Sequence, residues 1–395
     1  MNTISNLTNQ LHQHRASFPG LANKTYFNYG GQGPMPQAAI EAISTAHLEM
    51  QRLGPFGNAV SPWMNQQITA TRNAIASHLH VAPETITLTE NVTIGCNIAM
   101  WGIDWQPGDH LLLTDCEHHA VVAIAQAIRR RFQIEVTICP ILTASNQYEV
   151  IAQNLRPNTR LLVISHILWN TGQILSVDKI SEICHKNKTL LLVDAAQSFG
   201  SMPLNLNQLG VDFYAFTGHK WMCGAAGLGG LYMRPEVKVN LLPTFVGWRS
   251  VSTDVQGHPQ AWHPDGRSYE IATSDFPLLA GLREAMATHQ KWGSTEERYQ
   301  QILKNSEYLW RKLQLIPQVK CLLTSPPESG LVSFQLINMQ PQTTSQKLVS
   351  YLEIQHNILT RTIANPDCVR ACVHYLTLES EIDRLVAAIQ EFCNQ

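Results

Sequence analysis

Two residues of this chain could do carbonyl chemistry together. Lys220 lies in the small polar turn Phe216-Thr217-Gly218-His219-Lys220-Trp221, and Asp194 ends the apolar run Leu190-Leu191-Leu192-Val193, 26 residues earlier. A lysine amine forms a Schiff base with an aldehyde, and a carboxylate beside a heteroaromatic nitrogen keeps that nitrogen protonated and the ring an electron sink. Pyridoxal phosphate makes both demands. Either residue alone is ordinary, an exposed lysine or a strand-end aspartate capping a turn. Their conjunction, with Gln197 one turn after Asp194 and with Thr217 and His219 flanking the lysine, favours the cofactor reading.

The elements that could bring these residues together are written in the apolar pattern. Residues 85–88, 110–114, 135–139, 161–165, 190–193, 213–216 and 229–233 read as strands, and 64–80, 93–100, 120–131 and 177–186 as helices between them. Continuous apolar runs mark strands covered on both faces, hence an α/β fold of βα units around a mostly parallel seven-stranded sheet. Ligands gather beyond the carboxyl ends of such strands, so Asp115, His118, Asn170, Asp194, Gln197 and Lys220 are expected to converge. From residue 277 long amphipathic helices, 278–291 and 296–313, replace the alternation. The expected division is a large cofactor-binding domain over 21–276 and a smaller α+β domain over 277–395, with residues 1–20 packing on the latter. The polar, Trp- and Gly-containing stretch 247–266 reads as a functional loop or connection.

With 44% hydrophobic and 15% charged residues over 395 positions, the chain can bury large cores. A net charge of −2 offers no global basic field for nucleic acid or an anionic membrane. The nine cysteines form no C-x-x-C pair and several sit in apolar runs, so they read as reduced core thiols. No metal site is expected. The polar amino terminus and the absence of a membrane-length apolar run lead us to expect a cytoplasmic protein. Gly227-Leu228-Gly229-Gly230 leads into a strand rather than a helix, which sets aside a dinucleotide reading.

In order along the chain, Tyr26-Phe27-Asn28-Tyr29-Gly30-Gly31, Asn91-Val92-Thr93, Glu117-His118-His119-Ala120, Asn170, Asp194 with Gln197, Thr217-Gly218-His219-Lys220 and Arg370 resemble the class V aminotransferase family of fold-type I pyridoxal phosphate enzymes. That family includes cysteine desulfurases and isopenicillin epimerase-like proteins, and the resemblance covers nearly the whole chain. It implies that Lys220 carries the cofactor, Asp194 pairs with the ring nitrogen, Gln197 bonds the phenolic oxygen and His118 stacks on the ring, with His119 as its competitor. The amides of Val92 and Thr93, opening a helix, would meet the phosphate at the favourable end of the dipole. Thr93, Thr217 and His219 would add side-chain donors, and Thr273 of a homodimer partner matches a further phosphate contact. Arg370 matches the clamp for the substrate α-carboxylate. Asn170 matches a residue touching both cofactor and substrate, and Gly31 falls among the substrate contacts.

One departure bears on the reaction. Persulfide-forming desulfurases place a long loop with a nucleophilic cysteine between two arginine-bearing segments, whereas here Arg361 and Arg370 are nine positions apart. Cys368, on a short tether beside Arg370, reads as a packed thiol. Sulfur must then leave by β-elimination, and the resemblance leans toward the cyst(e)ine C–S lyases of cyanobacteria. It implies a lyase acting on cystine, and less well on cysteine, that yields pyruvate, ammonia and cysteine persulfide or sulfide. Arg361 could take the distal carboxylate, and iron–sulfur cluster assembly would be the sulfur acceptor. Three other readings stay open: a desulfurase releasing alanine, a class V epimerase or aminotransferase, and a cofactor-bearing regulator without turnover.

Overall fold

The computed structural model describes residues 10–238, 240–340 and 342–395; residues 1–9, part of the segment expected to pack on the smaller domain, lie outside them. A short strand, β1 (Thr25–Tyr26), leads into two long helices, α1 (Gln37–Leu53) and α2 (Val60–Leu79). The main sheet and its helices follow as β2 (Ile86–Thr89), α3 (Val92–Trp101), β3 (His110–Thr114), α4 (His119–Phe132), β4 (Glu135–Cys139), α5 (Gln147–Asn154), β5 (Thr159–Ser165), α6 (Val177–Lys186), β6 (Leu190–Asp194), β7 (Phe213–Thr217) and β8 (Gly229–Met233). Their spatial order is β2-β8-β7-β6-β5-β3-β4. All neighbours pair in parallel except β8, which runs antiparallel to β7 and β2. These are the seven strands expected from the sequence, with ends shifted by at most two residues.

Unbroken apolar runs are required because both faces are covered. Leu111, Leu113, Leu161, Val163 and Leu192 point into a core shared with α3 and α4. Leu112, Leu162, Ile164, Leu191 and Val193 point into a second core shared with α2 and α6. The period of two assigns alternate residues to opposite cores, and each buried aliphatic side chain contributes about 1.5–3 kcal/mol.

The stretch 247–266 is largely an exposed hairpin, β9 (Val251–Thr253) against β10 (Pro259–Trp262). Helix α7 (Phe276–Trp292) packs on α1 and α2 and sends Phe276, Leu279, Leu282 and Met286 into the core of the main sheet. The change of sequence character near residue 277 therefore marks a long helix whose partners belong to the large unit.

The rest of the chain builds the smaller unit: α8 (Thr295–Leu313), β11 (Val319–Cys321), β12 (Leu331–Leu336), α9 (Ser345–His356), β13 (Ile358–Leu359), β14 (Arg361–Ala364), β15 (Asp367–Cys372) and α10 (Glu379–Cys393). Its antiparallel sheet runs β11-β12-β15-β14. Ser294 and Glu297 form a reciprocal capping box that starts α8. The amino-terminal chain is stitched to this unit. β1 pairs with β13, Asn28 bridges to Cys372, and Arg15 reaches Glu381 at 2.5 Å.

The segment that precedes Thr273 is held by a buried charge. Glu270 lies between Arg72 and Arg249, 2.8 Å from each, and also accepts the Leu88 amide at 3.0 Å. Removing the charge leaves two poorly solvated guanidinium groups, and breaking a buried pair costs about 3–5 kcal/mol. Glu270→Gln should lower Tm by several degrees in calorimetry, and an unchanged Tm would show that solvent compensates both arginines.

Candidate active site

Strand register sets the rim. Ser165 lies opposite Asp194, and Asp194 opposite Ala215, so β5 and β6 end level, β7 runs two residues further, and the residues following them share one edge. Asp194 is buried, and its Oδ1 accepts the Ala196 amide at 2.9 Å. Burial pushes its pKa up, opposed by that N–H and by the charge of Lys220. Lys220 follows β7 in a turn closed by the Cys223 amide donating to the Lys220 carbonyl at 3.0 Å. The residue keeps a window to solvent while its amine is ringed by protein. Desolvation lowers its pKa to about 8, Asp194 opposing the shift and Arg370 adding to it.

Around this pair the structure gathers most of the residues expected from the sequence. Gln197 is buried; its Nε2 donates to the Gly30 carbonyl at 3.0 Å and its Oε1 accepts Trp221 Nε1–H at 2.9 Å. His118 caps α4, accepting the Ala120 amide at 3.3 Å, and is half-buried beside Lys220 and Arg370. Desolvation, helped by the charges of His119, Lys220 and Arg370, lowers its pKa to about 4, so the ring is neutral. His119, one residue on, is exposed, which separates the two histidines. Asn91 caps α3 by accepting the Ile94 amide at 3.1 Å, leaving the first-turn amides of Val92 and Thr93 without intrahelical partners. Thr217 and His219 are joined at 2.6 Å between Oγ1 and Nδ1.

Arg370 is buried on β15, where its Nη1 donates to the Trp169 carbonyl at 2.7 Å. Asn170, also buried, donates to the Asn365 carbonyl at 3.3 Å. A Cβ at Gly30 would lie 3.0 Å from Arg370 Nη2, and one at Gly31 2.8 Å from Asn28 Oδ1, so a side chain at Gly30 would crowd Arg370 and one at Gly31 would crowd Asn28. Arg361 sits directly opposite Arg370 in the β14–β15 ladder, on the same face but exposed. Asp115 does not join the site: its Oδ1 accepts the amides of Ile141 and Leu142 and ties β3 to the loop after β4. Thr273 is exposed, on the border of a cavity of about 890 Å³ that also touches Ile94 and Asn97 of α3.

Whether these residues suit pyridoxal phosphate is decided by the bonds they leave unmade. Asn170 Oδ1 and Arg370 Nε are buried without partners among the described residues. An unsatisfied buried polar group costs about 1–3 kcal/mol, a cost that a ligand bonded to Asn170 Oδ1 and Arg370 Nε would relieve. A buried carboxylate, a half-neutralised amine, a neutral histidine and a capped helix start fit the cofactor's ring nitrogen, aldehyde, ring face and phosphate. Among the described residues no group of three or more potential metal ligands occurs.

Some supporting residues carried no sequence signal of their role. Trp169 meets His118 edge-on, with ring centroids 5.3 Å apart. Glu117 is buried and accepts Thr114 Oγ1–H at 2.6 Å, the Ser165 amide at 3.0 Å and Ser165 Oγ–H at 2.8 Å, joining the ends of β3 and β5. Desolvation raises its pKa to about 8. The Cys372 thiol packs against Gly30 beside Arg370.

The aminotransferase class-V sequence profile matches residues 25–385. The chain belongs to the class V aminotransferase family. Its fold superposes on that of the cystine C–S lyase C-DES in complex with its reaction product cysteine persulfide, with a TM-score of 0.92 and 48% identity over 95% of this chain and 99% of that one. A lysine-to-alanine variant of C-DES carries glycine covalently linked to its PLP cofactor. A cysteine desulfurase of Klebsiella pneumoniae is 25% identical over 97% of this chain and 98% of its own. A Mycolicibacterium paratuberculosis protein named "Probable cysteine desulfurase" is 27% identical, the match covering 82% of this chain but 48% of that protein. The chain is thus a pyridoxal phosphate-dependent enzyme of the cysteine desulfurase and C–S lyase group.

A free amine is the form that attacks an aldehyde. With Lys220 near 8, cofactor uptake by apoprotein should accelerate as pH rises toward 8 and level off above it. A plateau only above pH 10 would contradict the lowered pKa. Lys220→Ala should abolish both the absorption band of the lysine-bound cofactor and turnover.

Proposed function

We propose that the protein cleaves the C–S bond of L-cystine by β-elimination, releasing pyruvate, ammonia and cysteine persulfide, with L-cysteine a poorer substrate that releases sulfide. The observation that carries this reading is the connection between β14 and β15, which consists of Asn365 and Pro366 alone. A turn of two residues leaves no loop to carry a nucleophilic cysteine. Cys368 does not replace it, since it is fully buried and desolvation raises its thiol to about 12.

The same hairpin argues for a substrate with two carboxylates. Like charges directly opposite one another across a ladder are destabilising, and among the described residues no carboxylate pairs with either Arg361 or Arg370. Cystine brings a carboxylate at each end; cysteine brings one. Its leaving group, cysteine persulfide, is also a weaker base than hydrosulfide and departs more readily.

When bound, the cofactor supplies the electron sink for loss of the Cα proton. Lys220 would hold the cofactor, and its amine would be the base that takes this proton. Asp194 holds the ring nitrogen cationic, and neutral His118 offers a flat face without competing charge. Gln197, Asn170 and the amides of Val92 and Thr93 orient the ring, with Thr217 and His219 assisting at the phosphate. Arg370 fixes the reacting α-carboxylate against Gly30 and Gly31, so the β-sulfur leaves along one direction. The remaining three-carbon fragment hydrolyses to pyruvate and ammonia. The persulfide holds sulfur in transferable form, and we assign its use to a sulfur acceptor of iron–sulfur cluster assembly.

We infer a homodimer as well. Leu242, Phe245, Trp248, Trp262 and Ile271 are exposed, and Phe245 and Ile271 border the cavity that Thr273 shares with α3. Exposed apolar surface on this scale favours a protein partner, and a second copy could direct its Thr273 to the phosphate end of α3.

Incubation of the purified enzyme with cystine should yield pyruvate in step with ammonia. Alanine as the main product, or loss of activity in Cys368→Ala, would replace this reading with the desulfurase. Arg361→Gln should raise KM for cystine roughly tenfold, the value of a lost charge-assisted bond, while leaving KM for cysteine within about twofold. Equal effects on both substrates would assign Arg361 to the fold.

A further inference from the structure

The carbonyls of the two residues after Lys220 are both held by buried histidines. His374 Nε2 lies 3.2 Å from the Trp221 carbonyl, and His289 Nε2 lies 3.0 Å from that of Met222. A carbonyl only accepts, so each Nε2 carries a hydrogen. Burial keeps both rings neutral, pushing His374 down to about 3 and His289 well below the usual histidine range. The remaining nitrogen of His289 is therefore an acceptor, and Tyr375 Oη–H donates to its Nδ1 at 2.7 Å. That hydroxyl oxygen in turn accepts from His14 Nε2–H at 3.0 Å. The relay His14–Tyr375–His289–Met222 therefore runs in one direction, from the amino-terminal helical stretch over residues 10–15 through the small unit and α7 to the lysine turn.

The elements joined here are distant in sequence, and each is anchored. Arg15 fixes the amino-terminal stretch through the Leu376 carbonyl at 2.6 Å and Glu381 at 2.5 Å. His374 stacks on Tyr29, with centroids 4.6 Å apart at 12°. Trp221, held by His374, donates to Gln197 Oε1, so the same support reaches a residue assigned to the cofactor ring.

We propose that His289, with its tautomer set by Tyr375 and His14, is a positioning residue for Lys220, and that the amino-terminal stretch is thereby a working part of the active site. The inference rests on Lys220 as the cofactor-bearing base of the elimination described above. Without the His289 donor, the Met222 carbonyl is free to rotate and the lysine turn loses the orientation that aims its amine.

His289→Leu removes both bonds, whereas His289→Gln keeps a donor for the carbonyl. In His289→Leu, kcat for cystine should fall on the order of tenfold, the scale of a small misplacement of a reacting group, with KM held within about twofold. The pH midpoint of the lysine-bound cofactor's absorption change should move by roughly half a unit or more, and His289→Gln should restore most of both. Should His289→Leu fail to fold, Tyr375→Phe, which deletes the donor to Nδ1 at nearly constant volume, should move the absorption midpoint in the same variant-specific way. Unchanged kcat and midpoint, with only a lower Tm of the apoprotein, would make His289 a packing residue and overturn the proposal. Alanine instead of pyruvate from the unaltered enzyme would defeat the elimination reading alone, because the absorption midpoint reports on Lys220 whatever the product.

Discussion

The two-residue turn between β14 and β15 is the constraint on which the proposed elimination depends. It places Arg361 and Arg370 opposite one another, it puts Cys368 into the core, and it leaves the substrate end of the site without a thiol on a movable tether. A longer connection would relax all three at once. The hairpin itself is held by pairing of β15 with β12 and by Asn28, which bridges to Cys372 at the far end of the same strand. Gly30 then lies against Arg370 and Cys372, so the arginine and the amino-terminal turn are one packed unit.

The electrostatics of the site share one cause. Desolvation pushes Asp194 up, Lys220 down to about 8 and His118 down to about 4, moving each toward its neutral form. A buried carboxylate with one hydrogen bond is ready for a cationic ring nitrogen, and an amine near 8 is ready for an aldehyde. The two occupy the ends of neighbouring strands, so the register of β6 and β7 sets their separation. Perturbation of this kind concentrates where groups must change charge during function.

Much of this was legible in the sequence for a definite reason. The central strands are largely apolar because helices cover both faces, and Asp194 and Lys220 stand out as charged residues at or just after the ends of such runs. The parts that escaped are those settled by partners far away in the chain. Whether His118 or His119 faces inward depends on one step of the turn before α4. The affiliation of α7 depends on α1 and α2, not on its own amphipathic pattern. Glu117, Trp169, Trp221 and His289 act through contacts with residues tens to hundreds of positions away, and no local spacing encodes those. Arg361 was visible as an arginine, but only the ladder register shows that it faces Arg370.

The central claim is that sulfur leaves this site on a small molecule and never on the chain. The direct measurement is the intact mass of the enzyme after a single turnover with cystine, without reductant, alongside assay of persulfide in the filtrate. The account predicts a chain mass unchanged from the starting holoenzyme and persulfide recovered in the filtrate. In a parallel single turnover with cysteine, a chain heavier by one sulfur atom, with alanine in solution, would contradict it.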